Sequence, residues 1–124
     1  MKVITKSQYL DALNGIKMTD KQKLMLLEHY HALNRSLTYT ELADASGYKN
    51  YGGANLQYGD LAKKIGDFVG FEYVDSEDNP GKKFHGSAIG MGNPYTSGEF
   101  QLVMHHELAK AIEAHGMLDE SLGA

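Results

Sequence analysis

The chain has 124 residues, 12 of them lysine or arginine against 16 aspartates and glutamates, and no cysteine. That length suits one domain able to bury its own core, and the missing cysteine excludes disulfides, thiolate zinc sites and a cysteine nucleophile. A net charge of -4 and a pI near 5.8 argue against indiscriminate nucleic-acid binding.

The charge is uneven: residues 1–74 carry nine basic and eight acidic side chains, residues 75–124 three and eight. Local basic groups in the first part are therefore free to serve a DNA contact. No segment approaches the roughly 20 apolar residues that span a bilayer, and the first residues are too short an apolar run for a signal peptide. A cytoplasmic protein without membrane contact is expected.

In chain order, Ser7 to Leu13 reads as a short helix capped by Ser7, with Tyr9, Leu10 and Leu13 near one face and Asn14-Gly15 ending it. Thr19 caps a second helix, Asp20 suits its positive end, and an apolar stripe through Leu24 and Leu27 runs to about Asn34. Arg35-Ser36-Leu37 is a connection. Thr38 and Glu41 have the spacing of a capping box, opening a short helix packed by Leu42, Ala43 and Ala45 and stopped by Gly47.

Asn50 caps a fourth helix, Tyr51 to about Val69, whose apolar residues include Ala54, Leu56, Leu61, Ile65 and Phe68. Gly52, Gly53 and Gly59 weaken its first half by up to about 1 kcal/mol each. Gly70 ends it. Strands are expected at Phe71–Val74, Phe84–Ile89 and Phe100–Met104, with a turn at Pro80-Gly81 and a loop over Gly90–Gly98. Glu107–His115 is a last helix, and the tail from Asp119 is expected to fray. Leu24, Leu27, Leu42, Leu56, Leu61, Ile65, Phe68, Leu108 and Ile112 are the expected core. The fold class is α+β, mostly helical, winged-helix-like with a small antiparallel sheet: one domain over residues 1–118.

Two short-linked helices around Gly47 make a helix-turn-helix, whose second helix enters the major groove by its N-terminal residues. The candidate DNA-binding residues are Lys49, Asn50, Tyr51, Gly52, Gly53, Asn55, Gln57, Tyr58, Lys63 and Lys64. The amides of Asn55 and Gln57 can pair with adenine. Tyr51 and Tyr58 can reach phosphates or stack. The lysines offer phosphate contacts, and the glycines would let the helix sit close to the groove. Asn55 and Tyr58, three apart, are expected to share the reading face. The plain alternative is generic packing of two helices with solvated caps.

Residues 39–62, from Tyr39-Thr-Glu-Leu-Ala to Gly59-Asp-Leu-Ala, resemble a module of bacterial restriction-type proteins that precedes an HNH nuclease domain. Phe100 to Gly116 is similar to the end of the same module. The resemblance spans most of residues 20–118 and implies DNA recognition, extending to modified bases. No nuclease domain follows in this chain, so cleavage is not implied.

Enzymatic readings are weaker. His105-His106-Glu107 lacks the second histidine of a metalloprotease helix, because Lys110 stands in its place. His29 and His31 fall on different helix faces. No phosphate loop or serine-nucleophile motif is present, and neither metal nor cofactor is expected. A non-catalytic binding module follows, with duplex DNA as partner; a protein partner on the same fold, as adaptor or inhibitor, is the alternative.

Overall fold

The computed structural model describes residues 2–76, 79–95 and 98–119. In chain order the longer helices are α1 (Lys6–Gly15), α2 (Asp20–His31), α3 (Tyr39–Ser46), α4 (Tyr51–Val69) and α5 (His106–His115). Three begin with a reciprocal capping box, Thr5 with Gln8, Thr19 with Gln22 and Thr38 with Glu41. Each box satisfies two otherwise orphaned N–H groups. The cap of α1 is thus Thr5, not Ser7: the glutamine three residues on completes the box there.

The strands are β1 (Ser36–Thr38), β2 (Val74–Asp75), β3 (Lys83–Phe84), β4 (Gly90–Gly92) and β5 (Gln101–Met104). β1, β5 and β4 form an antiparallel sheet in that order, with Leu37 opposite Leu102 and Met91 opposite Val103. β2 and β3 form a separate hairpin. The path α2-β1-α3-α4-β4-β5, with the last strand inserted between the first and its own hairpin partner, is the connectivity of a winged helix. The β2–β3 hairpin is an insertion between α4 and β4, and α1 and α5 lie outside that path.

Several expectations are corrected here. α2 stops at His31, and a 3-10 turn over Leu33–Arg35 follows, in which Asn34 and Arg35 take positive φ of 56° and 52°. Asparagine tolerates that region and arginine does not favour it; the turn is the corner that swings the chain into β1. Ser36–Thr38 is therefore a strand, not a mere connection. Phe71 and Tyr73 are not in a strand: the Tyr73 hydroxyl is tied back to α4 at Asp67 Oδ1 (2.8 Å) and the Lys63 carbonyl (2.9 Å). His85–Ala88 is a 3-10 turn, held where Ser87 Oγ donates to the Phe84 carbonyl and accepts from the Val74 N–H.

Conversely, Gly90–Gly92, expected as loop, is a strand. A Cβ on Gly90 would strike the Val103 carbonyl of β5, so only glycine lets the two backbones close. The expected strand at Phe100–Met104 and the helix ending at His115 are present. The tail beyond Asp119 lies outside the described residues.

One core joins these helices and the main sheet. Leu27, Leu42, Leu61, Ile65, Leu108 and Ile112 are buried in it, as expected. Leu24, Leu56, Phe68 and Ala45 are exposed instead. Met25 and Leu26 fill the position expected of Leu24: α2 is apolar over four consecutive residues, and its buried face is rotated by one. Two polar side chains serve the core directly. Gln22 is fully buried, its amide donating to the Gln57 carbonyl (3.2 Å) and to Asp60 Oδ2 (2.9 Å), which locks the start of α2 onto α4. His29 bridges α2, α4 and β5. Among the described residues no helix is long and apolar enough to cross a membrane.

Candidate nucleic-acid interface

The turn between α3 and α4 is built by residue chemistry. Gly47 closes α3 at φ 82°, a conformation that costs glycine little. Asn50 Oδ1 then accepts from the N–H groups of Gly52 (3.0 Å) and Gly53 (3.4 Å) and starts α4. Asn50 is thus occupied as a cap. Gly53 makes room for a neighbour: a Cβ there would fall 2.9 Å from the Tyr48 ring. The glycines have local reasons as well as any outward one, since a Cβ on Gly52 would also approach the cap oxygen.

α4 buries Ala54, Tyr58, Leu61, Ala62 and Ile65 and turns Tyr51, Asn55, Leu56 and Lys63 outward. Tyr51 is 61% exposed and Leu56 69%. Tyr58, expected on the reading face, is only 2% exposed and its hydroxyl donates to His29 Nδ1 at 2.8 Å. It is a core residue: burial pushes its phenol well above the ordinary range. Asn55 and Tyr58 therefore do not share a face with solvent. Gln57 is half-buried.

The two lysines of the helix separate. Lys64, whose side chain is about a third exposed, is held back against the molecule, donating to the Lys17 carbonyl (2.9 Å) and to Gln22 Oε1 (3.0 Å) and pairing with Asp60 at 3.4 Å. Lys63 points outward and pairs with Asp67 at 2.6 Å; that carboxylate holds the lysine above its usual range, and the lysine holds the carboxylate below its own. Lys49 is exposed at the turn.

Opposite this face stands the β2–β3 hairpin. Asn55, Leu56, Gly59 and Lys63 of α4 line one wall of a groove, and Asn79, Lys82, Lys83 and His85 line the other. Asp60 adds one acidic side chain. Lys83 pairs with Asp75 at 2.9 Å; Lys82 is exposed and makes no ion pair among the described residues. Exposed pairs of this kind contribute little, so a phosphate can take Lys63 or Lys83 from its carboxylate at small cost.

The described residues that lead from β4 back to β5 reach the hairpin and α3. Phe100 meets Phe84 of the hairpin edge-on (5.9 Å) and stacks on Tyr39 (6.3 Å). Glu99 accepts from the Thr40 hydroxyl at 2.9 Å and from its N–H at 3.3 Å, which keeps the carboxyl below its usual range. Burial raises the Tyr39 phenol to about 12. These contacts tie the hairpin, Glu99-Phe100 and α3 together beside the groove. Tyr95 is 94% exposed.

The structure therefore brings Asn55 and Lys63 to one groove, leaves Tyr51 and Lys49 exposed nearby, uses Asn50 and Gly53 locally, engages Lys64 with Lys17, Gln22 and Asp60, and buries Tyr58. Reasoning from sequence missed Lys82 and Lys83. The available signal was charge: two of the three basic residues in the acidic second part stand side by side after the Pro80-Gly81 turn. Among the described residues no cluster of histidines and carboxylates is placed to hold a metal. No family model, no curated protein and no solved structure matches the chain.

Proposed function

We propose that this protein is a non-catalytic module that binds duplex DNA through the outward face of α4. The observation that carries the reading is the groove in which Asn55 faces outward between Lys63 on α4 and Lys82 and Lys83 on the hairpin. An amide offers a donor and an acceptor together, which suits a base edge, while the lysines suit phosphate. The winged-helix path of the chain and the resemblance of residues 39–62 to a module of restriction-type proteins support the same reading, with modified bases within its scope. The net charge of -4 fits a local, positioned contact better than general adhesion to nucleic acid.

The test is titration of a labelled duplex at low salt with the wild type and with a Lys82→Ala, Lys83→Ala double variant. Binding that weakens at least severalfold in the double variant is expected. A wild type that binds no duplex contradicts the reading.

A protein partner is the second reading. It is favoured by an apolar patch at the far end of α4, where Phe68, 50% exposed, shares a shallow cleft with Ile16 and Met18. The two surfaces are separable, because Phe68→Ser leaves the groove untouched.

A further inference from the structure

Leu56 was expected in the core, and it stands in water beside Asn55 on the wall of the groove. A singly exposed leucine needs no explanation by itself. This one adjoins an amide that has no hydrogen-bond partner among the described residues, on a face flanked by glycines. Gly59 is one turn on from both, and a Cβ there would meet nothing within 4 Å. No side chain at position 59 therefore stands beside them.

The major-groove edge of an A·T pair offers a matching set. Adenine presents an acceptor at N7 and a donor at N6, which an amide meets with its N–H and carbonyl. Thymine presents a C5 methyl group, the one apolar feature among the four bases. A G·C pair presents two acceptors on guanine and no methyl group. It leaves the amide carbonyl facing an acceptor and the leucine facing polar atoms.

Resting on the DNA reading above, we propose that Asn55 and Leu56 select A·T pairs, Asn55 by pairing with adenine and Leu56 by packing on a thymine methyl. Lys63, Lys82 and Lys83 hold the backbone without distinguishing sequences.

The experiment has two stages. The full chain first enriches duplexes from a randomised pool. In the enriched duplex, adenine is then replaced by 7-deazaadenine, which lacks the N7 acceptor, or thymine by uracil, which lacks the methyl group. Affinities are measured for the wild type, Asn55→Ala and Leu56→Ala; both positions are exposed, and circular dichroism and melting confirm that the variants fold. The 7-deazaadenine duplex should bind the wild type at least about fivefold more weakly and leave Asn55→Ala indifferent. The uracil duplex should cost the wild type about fourfold, the worth of one buried methyl group, and leave Leu56→Ala indifferent. A wild type that binds duplex DNA but is indifferent to both replacements, or that enriches sites without A·T pairs, overturns the proposal and leaves DNA binding standing. A wild type that binds no duplex overturns both.

Discussion

His29 Nδ1 and the Tyr58 hydroxyl meet at 2.8 Å in the buried centre of the molecule, joining α2 to α4. His29 Nε2 lies 2.9 Å from the Leu102 carbonyl of β5, which can only accept. The ring therefore carries its proton on Nε2, and Nδ1 accepts the hydrogen bond that the Tyr58 hydroxyl donates. A single neutral imidazole thus aligns α4, and with it the outward face that carries Asn55, against the sheet.

Tyr58→Phe removes the donor and leaves a buried Nδ1 unsatisfied. Chemical denaturation should show a loss of about 1–3 kcal/mol. Duplex affinity of the folded variant should stay unchanged, because the hydroxyl faces the core. A large loss of affinity without loss of stability would return Tyr58 to the reading face.

The same pair sets a pH dependence. Burial outweighs the hydrogen bond to Leu102 and lowers the His29 pKa below 6.5, its value in the unfolded chain. The unfolded state then binds the extra proton first. The contribution of neutral His29 is fully present above pH 6.5 and is lost as pH falls through 6.5 toward the lowered folded value. Melting temperatures should decline between pH 7.5 and 5, and the decline should be shallower in His29→Gln. Equal slopes in the two proteins would contradict the assignment.

Two glycines should respond oppositely to alanine. Gly90→Ala drives a methyl group into the Val103 carbonyl and should cost about 1–3 kcal/mol or more, since backbone cannot step aside as a side chain can. Gly59→Ala meets open space within a helix and should stabilise by up to about 1 kcal/mol. Thermal melts of both variants check the pair.

Most helix ends were readable in the sequence because their signals act locally, Thr19, Thr38 and Asn50 as caps and Gly47, Gly70 and Gly116 as stops; the cap of α1 and the end of α2 were misplaced. The strands were less readable because their causes are distant. Gly90 is in a strand on account of Val103, and the three residues of β1 are too few to show a period. The site was half readable. Asn55 and Lys63 followed from the polar start of α4, but facing could not be judged through a stretch where Leu56 and Tyr58 exchange their expected places. The tyrosine goes inward because His29, 29 residues earlier in the chain, satisfies its hydroxyl. Lys64 is held back because Gln22 and the Lys17 carbonyl engage its ammonium.

Duplex affinity measured by fluorescence anisotropy across a salt series tests the central claim most directly. If Lys63, Lys82 and Lys83 each meet a phosphate, log affinity should fall against log salt with a slope of about -3, at about -0.9 per contact. The slope should shrink to about -1 when Lys82 and Lys83 are both replaced by alanine, and it should not change in Lys64→Ala, whose ammonium is already engaged by the Lys17 carbonyl, Gln22 and Asp60. Absence of binding at low salt, or a slope that the Lys82 and Lys83 replacements leave unchanged, would contradict the account.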